Sequence, residues 1–330
     1  MGERGLATMP MLDKYKKYWP VGLVVLALVA AGIIFTATQQ RTPEIPPEIS
    51  RGEGQEPVLK VYDVEAEKIR EMRFEEYVAG VLAGEMLNDW PEEALAAQAI
   101  LARTFALKFI AEKESRYEGA HISTDIEEAQ AWNAAAVNDR IWEAVERTRG
   151  KVAVYRNKLI NAWFHAHAGG ETATAREGLN WKDREPPYIQ SIESPDSDQA
   201  PPDDANWTAT FSKSQVVEAV RQLGGDPGGN PDRIEVTKRG PSGRAMRIRV
   251  GDAEVAGADF RIALGSAELK STKIESIEVT EDQVTFRGSG FGHGVGMSQW
   301  GAFEMANQGT SAEDIVRYYF NNIRIVKLWD

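Results

Sequence analysis

Between Phe74 and Met86 the apolar positions advance at helical spacing: Phe74, Val78, Val81 and Leu82 share one stripe, and the next position on it is a carboxylate, Glu85. The pattern predicts a helix over Phe74 to Met86 that ends around Asn88 and Asp89. A second helix is expected from Trp90-Pro91-Glu92-Glu93, because proline and acids suit a first helical turn. Its body, ALAAQAILARTFALKFIAEK, is rich in alanine, so other elements can approach closely and a central position is expected. Upstream, VLKVYDVEAEKIREMRF begins with strand-like alternation. Downstream, the pattern predicts a helix across Glu127 to Arg149, then a hairpin in which KVAVYRN turns at Asn157 and returns as KLINAWFHAHAGG. Residues 171–204 read as loops. Residues 206–269 change texture, with a helix (SKSQVVEAVRQLG), a hairpin on RIEVTKRGPSGRAMRIRV and a helical piece at Gly257 to Leu264, and read as an inserted small α/β lobe. The strands KIESIEVT and QVTFRGSG follow, then the glycine-rich GFGHGVGMSQWGA. A helix through Asn307, another N-capped by Ser311 and a closing strand IRIVKLW complete an α+β reading of mixed helices and antiparallel strands.

The N-terminal pattern differs. An apolar run of roughly 17 residues, Val21 to Ala37, is near the lower limit for a membrane-spanning helix. Trp19 extends it, and Lys14, Lys16 and Lys17 precede it, which places the N-terminus in the cytoplasm and the rest outside. FTATQQ lacks a clean cleavage site, so residues 19–37 are expected as an uncleaved anchor after a cytoplasmic tail, 1–18. Residues 38–57, rich in Pro and Glu, form an expected linker, and 58–330 the catalytic domain. The chain of 330 residues is 42% hydrophobic, enough for a substantial core. It has no cysteine, which excludes disulfides, a thiol nucleophile and cysteine-based zinc sites. A net charge of -12 argues against a sequence-independent nucleic-acid binder.

Among chemistry-bearing residues, Glu85 stands out. Burial penalises its charged form and raises its pKa toward the range of a general acid; the other reading is a carboxylate that accepts hydrogen bonds or pairs with Arg103. Gly288, Gly290, Gly292, Gly294 and Gly296 alternate, and an extended backbone would bare one face for a polymer to lie on; close packing against a helix is the alternative. Nucleotide binding is discounted, because no βαβ unit surrounds these glycines. Ser298 lacks a nucleophile-elbow spacing, and His165 and His167, with His121 as a third, lack a recognisable metal-ligand pattern.

The segments EEYVAGVLAGEM, EEALAAQAILARTFAL, FHAHAGG and GFGHGVGMSQWGA, in this order and spacing, resemble the stage II sporulation protein D (SpoIID/LytB) family, from about Val58 to the C-terminus. The resemblance implies a membrane-anchored lytic transglycosylase that cuts peptidoglycan glycan strands, preferring strands stripped of stem peptides, at the sporulation septum during engulfment. A non-catalytic glycan-binding scaffold and a hydrolytic muramidase are the alternatives. The family's catalytic glutamate falls on Glu85. Its important arginine falls on Arg103 and its P-Y tyrosine on Tyr188, while Gln130, His293, Ser298, Gln299 and Trp300 would line the same cleft. Leu87 stands where relatives usually have proline, and Gln190 where a basic residue is frequent. No cofactor is implied, and no metal, since Ser123 and Thr124 stand near His121 where some relatives hold zinc through cysteines. A stem-peptide amidase and a membrane scaffold are the implied partners.

Overall fold

The computed structural model describes residues 43–47, 49–52 and 55–330. The expected tail, anchor and first part of the linker lie outside the described residues. From Glu44 the chain alternates short strands and helices in an α+β arrangement of several small sheets. Strands β1 (Ser50–Arg51), β2 (Pro57–Asp63) and β3 (Lys68–Arg73) pair antiparallel in that order. Alternation on β2 buries Leu59 and Val61 completely. Helix α1 (Phe74–Glu85) follows β3 directly, with Glu75 and Glu76 in its first turn, and ends where Met86 turns extended at φ -134° and ψ 153°.

Helix α2 (Glu92–Glu112) is the central post. It is long and apolar enough to cross a membrane by length and composition, yet its surface is covered by the protein itself. Its alanines do what the sequence suggested: α1, α3 (Asp139–Arg147), strand β5 (Lys151–Tyr155) and the C-terminal helices α8 (Gln299–Asn307) and α9 (Ala312–Tyr319) all pack on it. Between α2 and α3, β4 (Ile122–Ser123) joins the first sheet parallel to β2. The helix expected across Glu127 to Arg149 is confined to α3. Asn138 caps it by accepting a hydrogen bond from Ile141 N (3.0 Å), and residues 130–138 form an irregular loop with one 3-10 turn at Ala134–Ala136.

The hairpin turns where expected. Arg156 and Asn157 take φ of 48° and 65°, the left-handed pair that matches strand twist in a two-residue connection between β5 and β6 (Lys158–Leu159). The last strand, β15 (Arg324–Lys327), pairs with the other edge of β5. The chain after β6 does not continue the hairpin: β7 (Phe164–His165) leaves to pair in parallel with β14 (Met297–Ser298).

A second hydrophobic core spans Trp207 to Phe286. Strand β8 (Asn206–Ser212) pairs with β13 (Gln283–Ser289), which pairs with β12 (Ile274–Val279). Helices α6 (Lys213–Gln222) and α7 (Gly257–Leu264) lie with a second sheet of β9 (Ile234–Arg239), β10 (Ala245–Val250) and β11 (Ala253–Ala256). The lobe therefore reaches past the expected limit at 269, because β13 is the strand that receives β8. The short helices α4 (Ala175–Leu179) and α5 (Pro202–Ala205) lie in the stretch read as loops.

The glycine-rich stretch is not an extended platform. Gly290, Gly292, Gly294 and Gly296 take φ of 79°, 104°, 81° and 75°, and side chains added there would meet the protein's own atoms. At Gly296 a Cβ would sit 2.0 Å from Trp163 O; at Gly294 it would sit 2.4 Å from the Arg244 guanidinium. The face that glycines would bare for a polymer is filled by residues 163–168 and by Arg244.

Candidate active site

Glu85 is the last residue of α1, and the loop of residues 130–133 lies across that end of the helix. Two glycines make the approach possible: a Cβ on Gly80 would stand 2.1 Å from Trp132 Nε1, and one on Gly84 2.7 Å from Ala131 C and Trp132 N. Asn133 N donates to Gly80 O (2.9 Å), and Ala131 N donates to Glu85 Oε1 (2.7 Å). From the other side, Gln299, at the start of α8, donates through Nε2 to the backbone carbonyl of Glu85 (3.1 Å). Burial pushes the Glu85 carboxyl up from 4.5 to about 7, against the opposing pull of the Ala131 N–H. Its place at a helix C-terminus, where the dipole disfavours an anion, acts in the same direction as burial. The site is still reachable. Glu85 is half-buried, Gly84 is exposed, and Leu87 stands 63% exposed beside them.

Of the residues expected to share a cleft, the structure brings Gln130 and Gln299 toward Glu85. Gln130 precedes the Ala131 donor and is 3% exposed, and neither atom of its side-chain amide has a partner among the described residues. Trp300 packs on Trp90 (ring centroids 4.5 Å) and Phe303 (5.1 Å), a cluster that holds α8 against the start of α2.

Arg103 is a correction. It is fully buried, and its guanidinium grips Glu75, with Nη2 2.5 Å from Oε2 and Nε 3.0 Å from Oε1. Its Nη1 donates to Lys151 O (3.0 Å), while Glu75 also accepts from Gly150 N and Trp329 Nε1, both 2.9 Å. Arg103 has no surface to offer a sugar; it ties α1, α2, β5 and the C-terminus together, and its partner is Glu75 rather than Glu85. Tyr188 also lies in the core, 8% exposed, where its hydroxyl accepts from Asn161 N (2.8 Å) and burial raises its pKa.

The glycine-rich loop divides its residues among separate tasks. Ser298, fully buried, caps α8 by accepting from Gly301 N (3.3 Å) and donates to Asp196 Oδ1 (2.5 Å). Asp196, which sequence reasoning missed inside a loop-rich stretch, also accepts from Ser194 Oγ and Gly170 N and faces His167 Nδ1 at 3.5 Å. His293 points elsewhere: its Nδ1 accepts from Val295 N (3.0 Å), its ring lies 5.8 Å from that of His165, and burial with Arg261 and Arg244 nearby pushes it down to about 3. His121 is engaged on β2, its Nδ1 accepting from Lys60 N (3.1 Å). Among the described residues no three His, Asp or Glu side chains gather as metal ligands would.

An α+β domain with a half-buried acid, its pKa raised to about 7, between a glycine-seated loop and the GHGVGMSQWG turn defines a class, and comparison with known proteins specifies it. The family model described as Stage II sporulation protein matches residues 62–155, and a domain of unknown function (DUF8618) matches 193–296. The chain is similar to stage II sporulation protein D of Bacillus amyloliquefaciens, 33% identical over 84% of this chain and 83% of that one. It is also 30% identical to stage II sporulation protein D of Bacillus subtilis (strain 168), over 81% of this chain and 78% of the relative. A more distant likeness, 25% over 73% of this chain and 39% of the relative, is to the amidase enhancer of Bacillus subtilis. The chain belongs to the stage II sporulation protein D family.

Proposed function

We propose that this protein is a peptidoglycan lytic transglycosylase whose single acid and base is Glu85, acting on septal peptidoglycan during engulfment in endospore formation. The observation that carries the reading is the Glu85 carboxyl held near pKa 7 while remaining reachable from solvent. At neutral pH about half of the molecules then hold the proton that a leaving group needs, which an ordinary glutamate does not.

Protonated Glu85 gives its proton to the glycosidic oxygen between N-acetylmuramic acid and N-acetylglucosamine as the bond from that oxygen to C1 breaks. The muramoyl C6 oxygen closes on C1, and its proton passes to the Glu85 carboxylate, which restores the acid. No water is consumed and the product carries a 1,6-anhydro end. One carboxyl is enough for this sequence, whereas a hydrolytic glycosidase uses a pair. The Ala131 N–H fixes the carboxyl's orientation, and Gln299, bound to the carbonyl of the same residue, fixes the end of α1.

The same reading places the protein in the cell membrane with the catalytic domain outside the cytoplasm, beside a stem-peptide amidase and a membrane scaffold. The likeness to an amidase enhancer supports the first partner. Incubating the purified protein with peptide-free glycan strands and weighing the fragments tests the activity. Anhydro ends, lighter by one water than reducing ends, are expected. Reducing ends would make it a hydrolase, and intact strands a binding scaffold.

A further inference from the structure

A cavity of about 500 Å³ opens where the two cores meet, and the proposed reaction does not use it. Its lining takes His167, Gly170 and Asp196 from the main body and Asn206 and Lys273 from the lobe. The Asp196 side chain, 5% exposed, is fully engaged and serves as a wall: Oδ1 accepts from the hydroxyls of Ser298 (2.5 Å) and Ser194 (3.0 Å), and Oδ2 accepts from Gly170 N (3.1 Å). The His167 side chain is 8% exposed and only half engaged. Its Nδ1 accepts from Gly169 N (3.0 Å), which puts the proton of the neutral ring on Nε2, and burial lowers its pKa so that the neutral form prevails at pH 7. Nε2 has no hydrogen-bond partner among the described residues and, unlike the sealed Nε2 of His165, it retains accessible surface. A Cβ added to Gly170 would meet nothing within 4 Å, so the backbone there is open to an occupant. Lys273 donates to Gly169 O and keeps further ammonium protons, while the exposed carboxylates of Asp198 and Glu275 complete the lining.

These groups narrow the occupant. A metal ion is a poor fit, because the free nitrogen of His167 carries the proton and no three His, Asp or Glu side chains gather as ligands among the described residues. An anion would meet Asp196, Asp198 and Glu275 against a single lysine, and the lining offers an apolar ligand no ring beyond the imidazole. A neutral molecule that both accepts and donates hydrogen bonds suits the set. We infer that this cavity is a second saccharide site, which takes a neutral N-acetylated sugar of the glycan strand. His167 Nε2 and Lys273 Nζ donate to acetamido or hydroxyl oxygens, and Asp198 and Glu275 accept from hydroxyls. The site is fixed relative to the acid. Asp196 holds Ser298, and the next residue, Gln299, donates to Glu85 O (3.1 Å), so adjacent residues with Cα atoms about 3.8 Å apart tie the cavity wall and the end of α1 to the start of α8. A strand seated here is held at a point apart from the bond that is cut. The glycan occupant rests on the proposed substrate, so the test reads binding without cleavage.

The full chain carrying Glu85→Gln is titrated with N-acetylglucosamine and, separately, with glucosamine, following the ring signals of its four histidines by NMR. His167→Asn keeps an acceptor for Gly169 N, removes the Nε2 donor and assigns the His167 signal by deleting it. N-acetylglucosamine is expected to shift that signal saturably and to bind more tightly than glucosamine, which has no acetamido oxygen for the Nε2 donor. Asp198→Ala combined with Glu275→Ala, at two exposed positions that leave folding intact, is expected to weaken binding about tenfold, as loss of charge-assisted hydrogen bonds implies. Absence of a saturable shift at His167, tighter binding of glucosamine, or an affinity unchanged by the double variant overturns the site. Cleavage by a wild-type protein whose His167 signal ignores the sugar removes this site alone, whereas a His167 response in a wild-type protein that leaves strands uncut would sink the transglycosylase reading alone.

Discussion

At the scale of the residue, Glu85 and Arg103 show how the same type of evidence, a charge on an apolar helix, leads to opposite roles. Both interrupt hydrophobic stripes, and the sequence offered no way to tell which of them was paired. The structure separates them by partner: Arg103 is neutralised by Glu75, whereas Glu85 has a single backbone donor and its pKa is raised to about 7 by burial. Removing one member of a buried ion pair typically costs about 3–5 kcal/mol. Arg103→Ala is therefore expected to lower stability by that amount in denaturant melts, while the molecules that remain folded cleave normally; a folded but inactive variant would return Arg103 to the site. For Glu85 the sign is reversed. A carboxyl whose pKa rises from 4.5 to about 7 on folding binds its proton more tightly in the native state, so its contribution is present at low pH and is lost as pH rises through 7. The difference corresponds to at most about 3 kcal/mol at alkaline pH. Glu85→Gln keeps the acceptor for Ala131 and removes the charge. It is expected to melt higher than wild type at pH 8 and equally at pH 4, while losing cleavage at both.

At the scale of the element, legibility followed locality. The turn at Asn157, the cap at Ser311, the central α2 and the run of β12 and β13 rest on neighbouring residues, and each was readable from the chain. The helix expected from Glu127 failed because residues 130–138 are held by contacts with α1, far away in sequence, which no local periodicity records. The platform expected of the alternating glycines failed for a related reason: period two fits a strand, but positive φ at every second residue gives a different backbone. Gly80 and Gly84, four apart on α1, were the available sign that another segment approaches that helix, and with it the donor that holds Glu85. Gly84→Ala tests the seat. Its Cβ would press on Ala131 and Trp132, move the loop outward and release the Ala131 hydrogen bond. Moving the loop outward also admits water to the carboxyl, and burial is the larger influence on its pKa, so the alkaline limb of the pH–rate profile is expected to move to lower pH while the maximal rate falls. An unchanged limb would mean that the loop does not set the acid.

At the scale of the molecule, the two cores meet around a cluster that the reaction does not use. Arg244, buried in the turn that opens β10, donates to Ala168 O (2.6 Å) and Glu171 O (2.8 Å) and lies under Gly294; its own N–H donates to Glu177 Oε1 (3.0 Å). His165 and His293 sit close by, and burial and the neighbouring positive charges push both below their ordinary value of 6.5. The unfolded chain therefore binds protons at these histidines before the folded one does. Their stabilising contribution is complete above pH 6.5 and is lost as pH falls from there toward 3. Glu85 acts in the opposite direction over an overlapping window, but His293 alone moves further, from 6.5 to about 3 against 4.5 to about 7, and His165 adds to it. The net expectation is a protein that loses stability on acidification, beginning at the joint between the lobe and the main body. Hydrogen exchange at pH 7 and pH 5 checks both parts. Protection should fall first at Val295 and His167, whose amides are held within that joint, and later at the centre of α2. Simultaneous loss across both cores would instead show a single cooperative unit in which the histidines set only the midpoint.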